Sequence, residues 1–436
     1  MINATSVFST MTIVPTTPQI MAEFHSKSAF EQTLLVTIWE LGEGIGPFFI
    51  APLSEKFGRL PVFHIGNFLA LCCLIGCALS VNIPMLITFR FLTGCFLSIL
   101  TLGPAIVGDL FEMNQSGLSM TLVTGMQLLA DFISPVAGSY ISEGLGWRWS
   151  IWLSALVLGF FSLALASVLE ETYAVVLLRR RATRLQTDHP HGPTYRSIHQ
   201  DRIDATTLLS SVLAPLFILT QSPILILTTA YMATIYALIS LIIATLTEAM
   251  QSTYPEIFTQ GSVGLTFLSL ALGNTLALIF YSLTSDRWIT YLQRKQGSSF
   301  KPESRLIHLL PAAFLLPSAF LIYGWSLASH SHFLLPLFGV GLAGFSMVLC
   351  TTPTETYVVD VFEIHGASAI AAGVIFRAVA GAFLPLIGPP LYQSVGYGWG
   401  NSVLAGVAAV FVPPLVLLVA CGDWFRARER WGEAAR

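Results

Sequence analysis

The chain has 436 residues, 54% of them hydrophobic and only 10% charged, with a formal net charge of −3. Soluble domains carry roughly 25% charged residues, so this chain has too few to coat a soluble globule, and its long apolar runs point to an all-α membrane protein. No basic block suggests nucleic acid, and the six cysteines fall inside apolar stretches, without the paired loop spacing of a metal site or disulfide framework.

A spanning helix needs about 20 mainly apolar residues. In chain order such stretches lie near 1–21, 31–53, 61–82, 84–108, 118–142, 148–169, 215–247, 259–283, 309–329, 333–354, 367–392 and 401–422. These are spans 1 to 12 below. They divide six and six about a long hydrophilic stretch that carries LLRRRATRLQTDHPHGPTYRSIHQDR (177–202). The expected organisation is an N-terminal six-helix bundle over 1–169, a cytosolic loop over 170–213, a C-terminal six-helix bundle over 214–425 and a cytosolic tail over 426–436. Span 1 starts at Met1 with no polar stretch ahead of it and contains Pro15 and Pro18, which makes it the least regular of the twelve. No basic segment precedes it, so no cleavable signal peptide is expected.

Charge sets the orientation. With both termini in the cytosol, Lys56 and Arg59 lie in the 2–3 turn, and Arg179 to Arg181, Arg184, Arg196 and Arg202 lie in the central loop. Arg287, Arg294, Lys295, Lys301 and Arg305 then fall between spans 8 and 9, and Arg426, Arg428, Arg430 and Arg436 in the tail. Only Lys27 and Arg148 are left outside, while Arg90 and Arg377 lie within spans. This asymmetry fits the positive-inside rule with both ends cytosolic. The sequons at Asn3 and Asn114 are expected to stay unmodified, one at the extreme start and the other on the cytosolic side.

Spans 2 and 3 meet in IAPLSEKFGRLPVF (50–63), a tight turn holding Glu55, Lys56, Gly58 and Arg59. Further patterns follow in order: ITFRFLTGCF (87–96), GWRWSIW (146–152), ETYAVVLLRRRATRL (171–185), PESRL (302–306), YVVDVF (357–362) and ASAIAAGVIFRAVAGAFLPL (367–386). Together they resemble the major facilitator superfamily over nearly the whole chain, and its fungal twelve-span drug:proton antiporters more than its sugar porters. APLSEKFGRL (51–60) aligns with the signature of the family's 2–3 turn, with Ala51 for its first glycine, Glu55 for its aspartate and Leu60 for its last basic residue. The family's span 5 antiporter pattern survives only as DFISPVAGS (131–139), where Asp131 and Ser134 replace expected glycines.

The resemblance implies a role for the charged turn. Gly58 supplies backbone freedom, and Glu55 and Arg59 are expected to pair with each other and with Asp109 at the cytosolic end of span 4. In the family the equivalent acid also lies near the N-terminus of span 11, where the helix dipole favours an anion. Such a cluster would latch two bundles on the cytosolic side and break when they rock; a plain solvated turn is the alternative.

Ionisable residues at bilayer depth are costly and mark function. Glu43 in TIWELGEGIGPFF lies about 15 Å from the cytosolic end of span 2, and Arg377 is about 15 Å into span 11. Glu40 is one turn further out than Glu43, Asp131 is near the middle of span 5 and Arg90 is in the outer half of span 4. These depths suggest that Glu43, Asp131 and Arg90 share a cavity in the first half. Glu43 and Asp131, with Glu40 close behind, are the expected proton or cation-substrate carboxylates, with Arg90 their tuning partner. A static ion pair of Glu40 with Arg90 fits the same residues, and Arg377 fits an anionic substrate or a helix end equally. Gly42 and Gly46 suggest close helix packing.

GVGLAG (339–344) has the spacing of a dinucleotide fingerprint but lies inside an apolar span with no strand before it, so it reads as helix packing. Nothing points to an enzyme, and no cofactor or metal is called for. The expected function is proton-coupled efflux of small organic compounds (drugs, toxins or secondary metabolites) by a monomer in the cell membrane, its partners being the substrate, protons and lipid. A polyamine or other cationic-metabolite carrier and a non-transporting sensor of the same fold are the alternatives.

Overall fold

The computed structural model describes residues 2–97, 113–168, 171, 174–188, 219–220, 222–296, 302–362 and 366–427. Span 1 is broken into α1 (Ile2–Met11), a 3₁₀ turn (Val14–Thr16) and α2 (Thr17–Glu23). The prolines cause this: Pro15 and Pro18 each occupy one of the first two positions of a new helical segment, where a missing N–H costs little. Threonines cover carbonyls near the break, Thr16 donating to Ile13 O at 2.7 Å and Thr17 to Val14 O at 2.7 Å.

Ser28 caps the next helix, α3 (Ala29–Phe57), by accepting the Glu31 N–H at 3.3 Å. Then come α4 (Arg59–Ala78), α5 (Ile83–Leu97), α6 (Met113–Leu145) and α7 (Trp147–Val168). The hydrophilic stretch contains a helix, α8 (Ala174–Asp188), whose sequence AVVLLRRRATRLQTD has arginines along it. In the second half follow α9 (Pro223–Thr253), α10 (Phe267–Gln296), α11 (Leu309–Ala328), α12 (Leu334–Phe362), α13 (Gly366–Phe383), α14 (Gly388–Val410) and α15 (Val412–Ala427). Gly396, at φ 76°, puts a sharp kink inside α14, where only glycine is unstrained. The chain therefore turns from span 11 to span 12 within the gap expected between 392 and 401. Eight stretches among the described residues are long and apolar enough to cross a membrane, and no strand occurs among them. The order matches the all-α expectation.

Among the described residues two large apolar cores form, with a smaller cluster of Leu219, Leu225, Val358, Phe362, Ala369 and Ala372 beside them. One gathers Ile13, Leu35, Trp39, Leu74, Leu86 and Trp147 from the first half. The other gathers Ile242, Met250, Leu316, Phe320, Tyr323 and Leu415 from the second. Glycines set the spacing of helices where backbones nearly touch. A Cβ on Gly42 of α3 would lie 2.3 Å from Phe91 O of α5, and one on Gly94 of α5 would lie 2.4 Å from Trp39 O of α3. Two residues further on, which is about 200° around the helix, Gly44 faces the second half, and its Cβ would lie 2.1 Å from the Ala378 Cβ of α13. The expectation of close packing thus holds at Gly42. GVGLAG does the same in α12, with Gly339 against the backbone of Tyr323 on α11 and Gly344 against Leu270 O on α10.

Candidate functional site

At the end bearing the 2–3 turn, Gly58 takes φ 100° and joins α3 directly to α4. The carboxylate of Glu171 lies beneath it. It accepts the N–H of Arg59 at 3.0 Å and of Leu60 at 3.3 Å, which serves two of the orphan donors that open a helix and places a negative charge at the positive end of its dipole. A Cβ on residue 58 would lie 2.3 Å from Glu171 Oε2, so the glycine is needed for contact as well as for conformation. Sequence reading expected Glu55 and Asp109 around Arg59; the Glu55 side chain and Asp109 lie outside the described residues. In the second half Arg305 pairs with Asp360, which joins the PESRL and YVVDVF patterns at the same end of the molecule.

At the opposite end Glu23 closes α2. It accepts from the Trp147 indole and from Arg148, and Arg148 also donates to Ser80 O at 3.1 Å beyond the end of α4. The Arg148 guanidinium stacks 4.5 Å from the Trp147 ring. The Arg148 hydrogen bond holds the Glu23 carboxyl below the usual carboxylate range, against the opposing effect of burial. A lowered native pKa gives stability that is present above the unfolded value and lost as pH falls through the native one. Thermal unfolding of the purified protein in detergent is therefore expected to stay level from about pH 7 to 5 and to fall below about pH 4. Arg148→Ala is expected to cost about 1 °C or less at neutral pH and to shrink the acid-side fall; equal acid sensitivity in both proteins would count against the clamp.

The centre holds the polar cluster. Glu40, one turn before Gly44 on α3, faces α13 and lies under Gly381, where a Cβ would be 1.9 Å from Glu40 Oε2. Its other oxygen accepts from Ser240 of α9 at 2.5 Å. Arg377 of α13 lies close enough to interact electrostatically with both Glu40 and Glu43. Its guanidinium donates to Glu355 Oε1 of α12 at 2.8 Å and stacks 4.2 Å over the Tyr236 ring of α9. One guanidinium thus bonds the Glu355 carboxylate and lies within electrostatic reach of Glu40 and Glu43, and the cluster joins α3 of the first half to α9, α12 and α13 of the second.

The structure does not bring the other two candidates to this point. Arg90 is 3% exposed, and its donors go to backbone carbonyls: Leu35 O at 3.1 Å, Ser9 O at 3.5 Å and Val36 O at 3.5 Å. The cation beside the carboxyls is Arg377. Asp131 is half-buried on α6, a helix that packs on α1, α7 and α10. Among the described residues it has no hydrogen-bond or ion-pair partner. Among the described residues no hydrogen bond or ion pair joins Glu43, Asp131 and Arg90.

The sequence match settles what kind of molecule this is. A model described as Major Facilitator Superfamily fits residues 1–385. The chain belongs to the Major Facilitator Superfamily. It is 36% identical to the MFS-type transporter hepF of Aspergillus oryzae over 427 residues, 98% of this chain and 86% of that protein. It is 34% identical to the efflux pump radE of Floropilus chiversii, over 96% of this chain and 78% of that one. In three dimensions it is similar to the xylose transporter XylE from E. coli in an inward open conformation. The TM-score is 0.67, covering 95% of this chain and 94% of that one, at 15% identity; the likeness shows the fold. As a Major Facilitator Superfamily member this is a multi-pass membrane protein of a small-molecule transport family, as the turn signature and the later patterns implied.

Proposed function

We propose that this protein exports small organic compounds in exchange for protons by alternating access. Its units are a bundle over 1–169, a cytosolic loop over 170–213, a bundle over 214–425 and a tail over 426–436, with both termini in the cytosol and the cell membrane as its site. One observation carries the reading: across the halves Ser240 donates to Glu40, and Arg377, bonded to Glu355, lies within electrostatic reach of Glu40 and Glu43. Contacts across the halves change when the halves tilt, so the surroundings of these carboxyls alternate. A carboxyl that gains and loses water and a cation partner gains and loses proton affinity, which is what coupling needs. For an uncharged substrate, the proton crossing 100 mV adds about 2.3 kcal/mol of drive; a one-for-one exchange with a cation draws on the pH difference alone.

Bonds across the halves support an outer end that is closed. Gln32 of α3 donates to Glu248 of α9 at 3.1 Å, Gln260 donates to Pro15 O at 3.0 Å, and Thr37 of α3 donates to Ala382 O of α13 at 2.8 Å. At the cytosolic end the proposed latch is Glu55, Gly58, Arg59 and Asp109, to which the Glu171 cap is now added. In drug-sensitised yeast expressing the chain, export measured as resistance is expected to be greater at external pH 5 than at pH 7. Glu43→Gln is expected to remove that pH dependence with at least tenfold loss of export, on the order of the effect of losing one essential proton carrier. Resistance that is unchanged by the substitution at both pH values would overturn the reading. The second reading, a carrier of cationic metabolites, is favoured by one specific count, the three carboxyls about the single Arg377 guanidinium.

A further inference from the structure

A cavity of about 30 Å³ opens between the first turns of α9, the last third of α12 and the first two-thirds of α13. Thr228, Thr229, Thr354, Glu355, Gly373 and Arg377 give it its polar character. It lies on the same side of the cluster as the basic turns. The volume holds a headgroup, a few water-sized atoms.

Hydrogen-bond accounting says what that headgroup is. The Thr228 hydroxyl spends its proton on Ile224 O at 2.8 Å and the Thr354 hydroxyl on Cys350 O at 2.6 Å, so both offer only lone pairs to the cavity. Glu355 uses one oxygen on Arg377 and, among the described residues, has no other partner; its side chain is 42% exposed. Arg377 has one face on Tyr236. Beside the Arg377 guanidinium and the Thr229 hydroxyl, the lining offers the lone pairs of Thr228, Thr354 and Glu355, and an anion placed there would meet the Glu355 carboxylate.

We infer that this cavity takes the ammonium headgroup of an amine-bearing substrate on Glu355, and that its arrival frees Arg377 to pair with Glu43. The inference rests on the exchange reading above and names its substrate class. The substrate N–H groups replace those of Arg377 on the Glu355 carboxylate. Arg377 then turns to Glu43, stabilises the carboxylate there, and the Glu43 proton leaves to water on the cytosolic side. The charge of the cluster is the same before and after, because one cation enters as one proton leaves. A buried cluster that had to change its charge would carry a large desolvation cost. The charged or titratable groups facing this exchange are Glu40 and Glu43 from α3, Tyr236 from α9, Glu355 from α12 and Arg377 from α13.

The test uses the purified full chain in detergent, with dansylcadaverine as the amine probe and its N-acetyl derivative as the neutral match. Dansyl fluorescence is expected to report saturable binding of the amine, with the acetylated probe roughly ten- to hundredfold weaker, the scale of a hydrogen bond to a charged group. A pyranine signal in weak buffer is expected to show proton release when the amine is added and none with the acetylated probe. Glu355→Gln is expected to lower amine affinity to that of the acetylated probe. Gly373→Ala provides a second route to the same loss: the Cβ at this position has only Thr229 Oγ1 near it, at 3.8 Å, so the added methyl takes up cavity space without a clash; Gly373→Val takes up more of it. Glu43→Gln, at saturating amine, is expected to abolish the release. Wild-type protein that binds both probes equally, or binds neither, overturns the inference, as does amine binding unchanged by Glu355→Gln and Gly373→Val. Glu355-dependent binding without proton release overturns the exchange step. A failure of the export reading would look different, with amine binding intact on purified protein and no pH-dependent resistance in cells.

Discussion

Arg377→Ala is expected to abolish pH-dependent export in yeast and to lower the stability of the purified protein by on the order of 2 kcal/mol. The guanidinium is the shared partner of three carboxyls: it bonds Glu355 directly and interacts with Glu40 and Glu43. Without it those groups face one another with no cation, and taking up protons is their cheapest response. Carboxyls that stay protonated in both orientations cannot couple anything. Removing one partner of a buried pair is costly because the other is left uncompensated, by roughly 3–5 kcal/mol when burial is complete; Arg377 is 21% exposed, which brings the figure down. Arg377→Lys keeps the charge but loses the planar face stacked on Tyr236, and is expected to retain part of the stability and less than a tenth of the export. Thermal unfolding alongside cellular export separates the two effects. Wild-type pH dependence in Arg377→Ala would remove the cluster from the mechanism.

How much of this cluster could be read from residues follows from where each one stands. Glu40, Glu43 and Arg377 are charges inside apolar runs, and that alone marks them. Glu355 is a charge too, but hydropathy ended span 10 at residue 354, and α12 continues to Phe362. An error of a few residues at a helix end moved a central carboxyl into a loop. Ser240 and Tyr236 gave no signal, since a lone hydroxyl in an apolar helix is common and only the partner helix shows what it meets. Glu171 was in plain view in ETYAVVLLRRRATRL, yet its contact is with a turn 112 residues earlier in the chain, a pairing that local pattern does not encode.

Arg90 and Asp131 show the opposite failure. Depth along a helix is legible from the count of residues, but direction around the axis relative to other helices is not. Arg90 has the right depth to meet an acid and instead serves carbonyls of α1 and α3; a carbonyl has a second lone pair to give, so a buried guanidinium can be satisfied with no carboxylate at all. Asp131 lies on α6, which packs on α10 and the Ser262–Thr266 turn, whereas α3 packs on α13. The two acids therefore belong to different seams between the halves. The overall fold was far more legible than the site, because twelve apolar stretches, the basic asymmetry and the charged turn all constrain the same architecture.

Gly94→Val is expected to do more damage to the folded protein than any charge substitution. The new Cβ would lie 2.4 Å from Trp39 O and 3.2 Å from Glu43 N. Both are backbone atoms of α3, so no side chain can move aside, and the helices must separate. Gly42 imposes the same limit from the other side, with Phe91 O at 2.3 Å and Cys95 N at 2.8 Å from its would-be Cβ. Overpacking costs about 1–3 kcal/mol where side chains can yield; with backbone on both sides the expected cost is at the top of that range or beyond, about 3 °C or more in thermal unfolding. Gly406→Val is the control, since a Cβ there meets nothing within 4 Å, and a change within about 0.5 kcal/mol is expected. Gly94→Ala tests function more finely. Its single methyl pushes on the backbone of Glu43 itself, so proton-linked export is expected to fall several-fold even in the fraction of protein that remains folded. If Gly94→Val and Gly406→Val unfold at the same temperature, α3 and α5 are not held at backbone contact, and Glu43 is not placed by that seam.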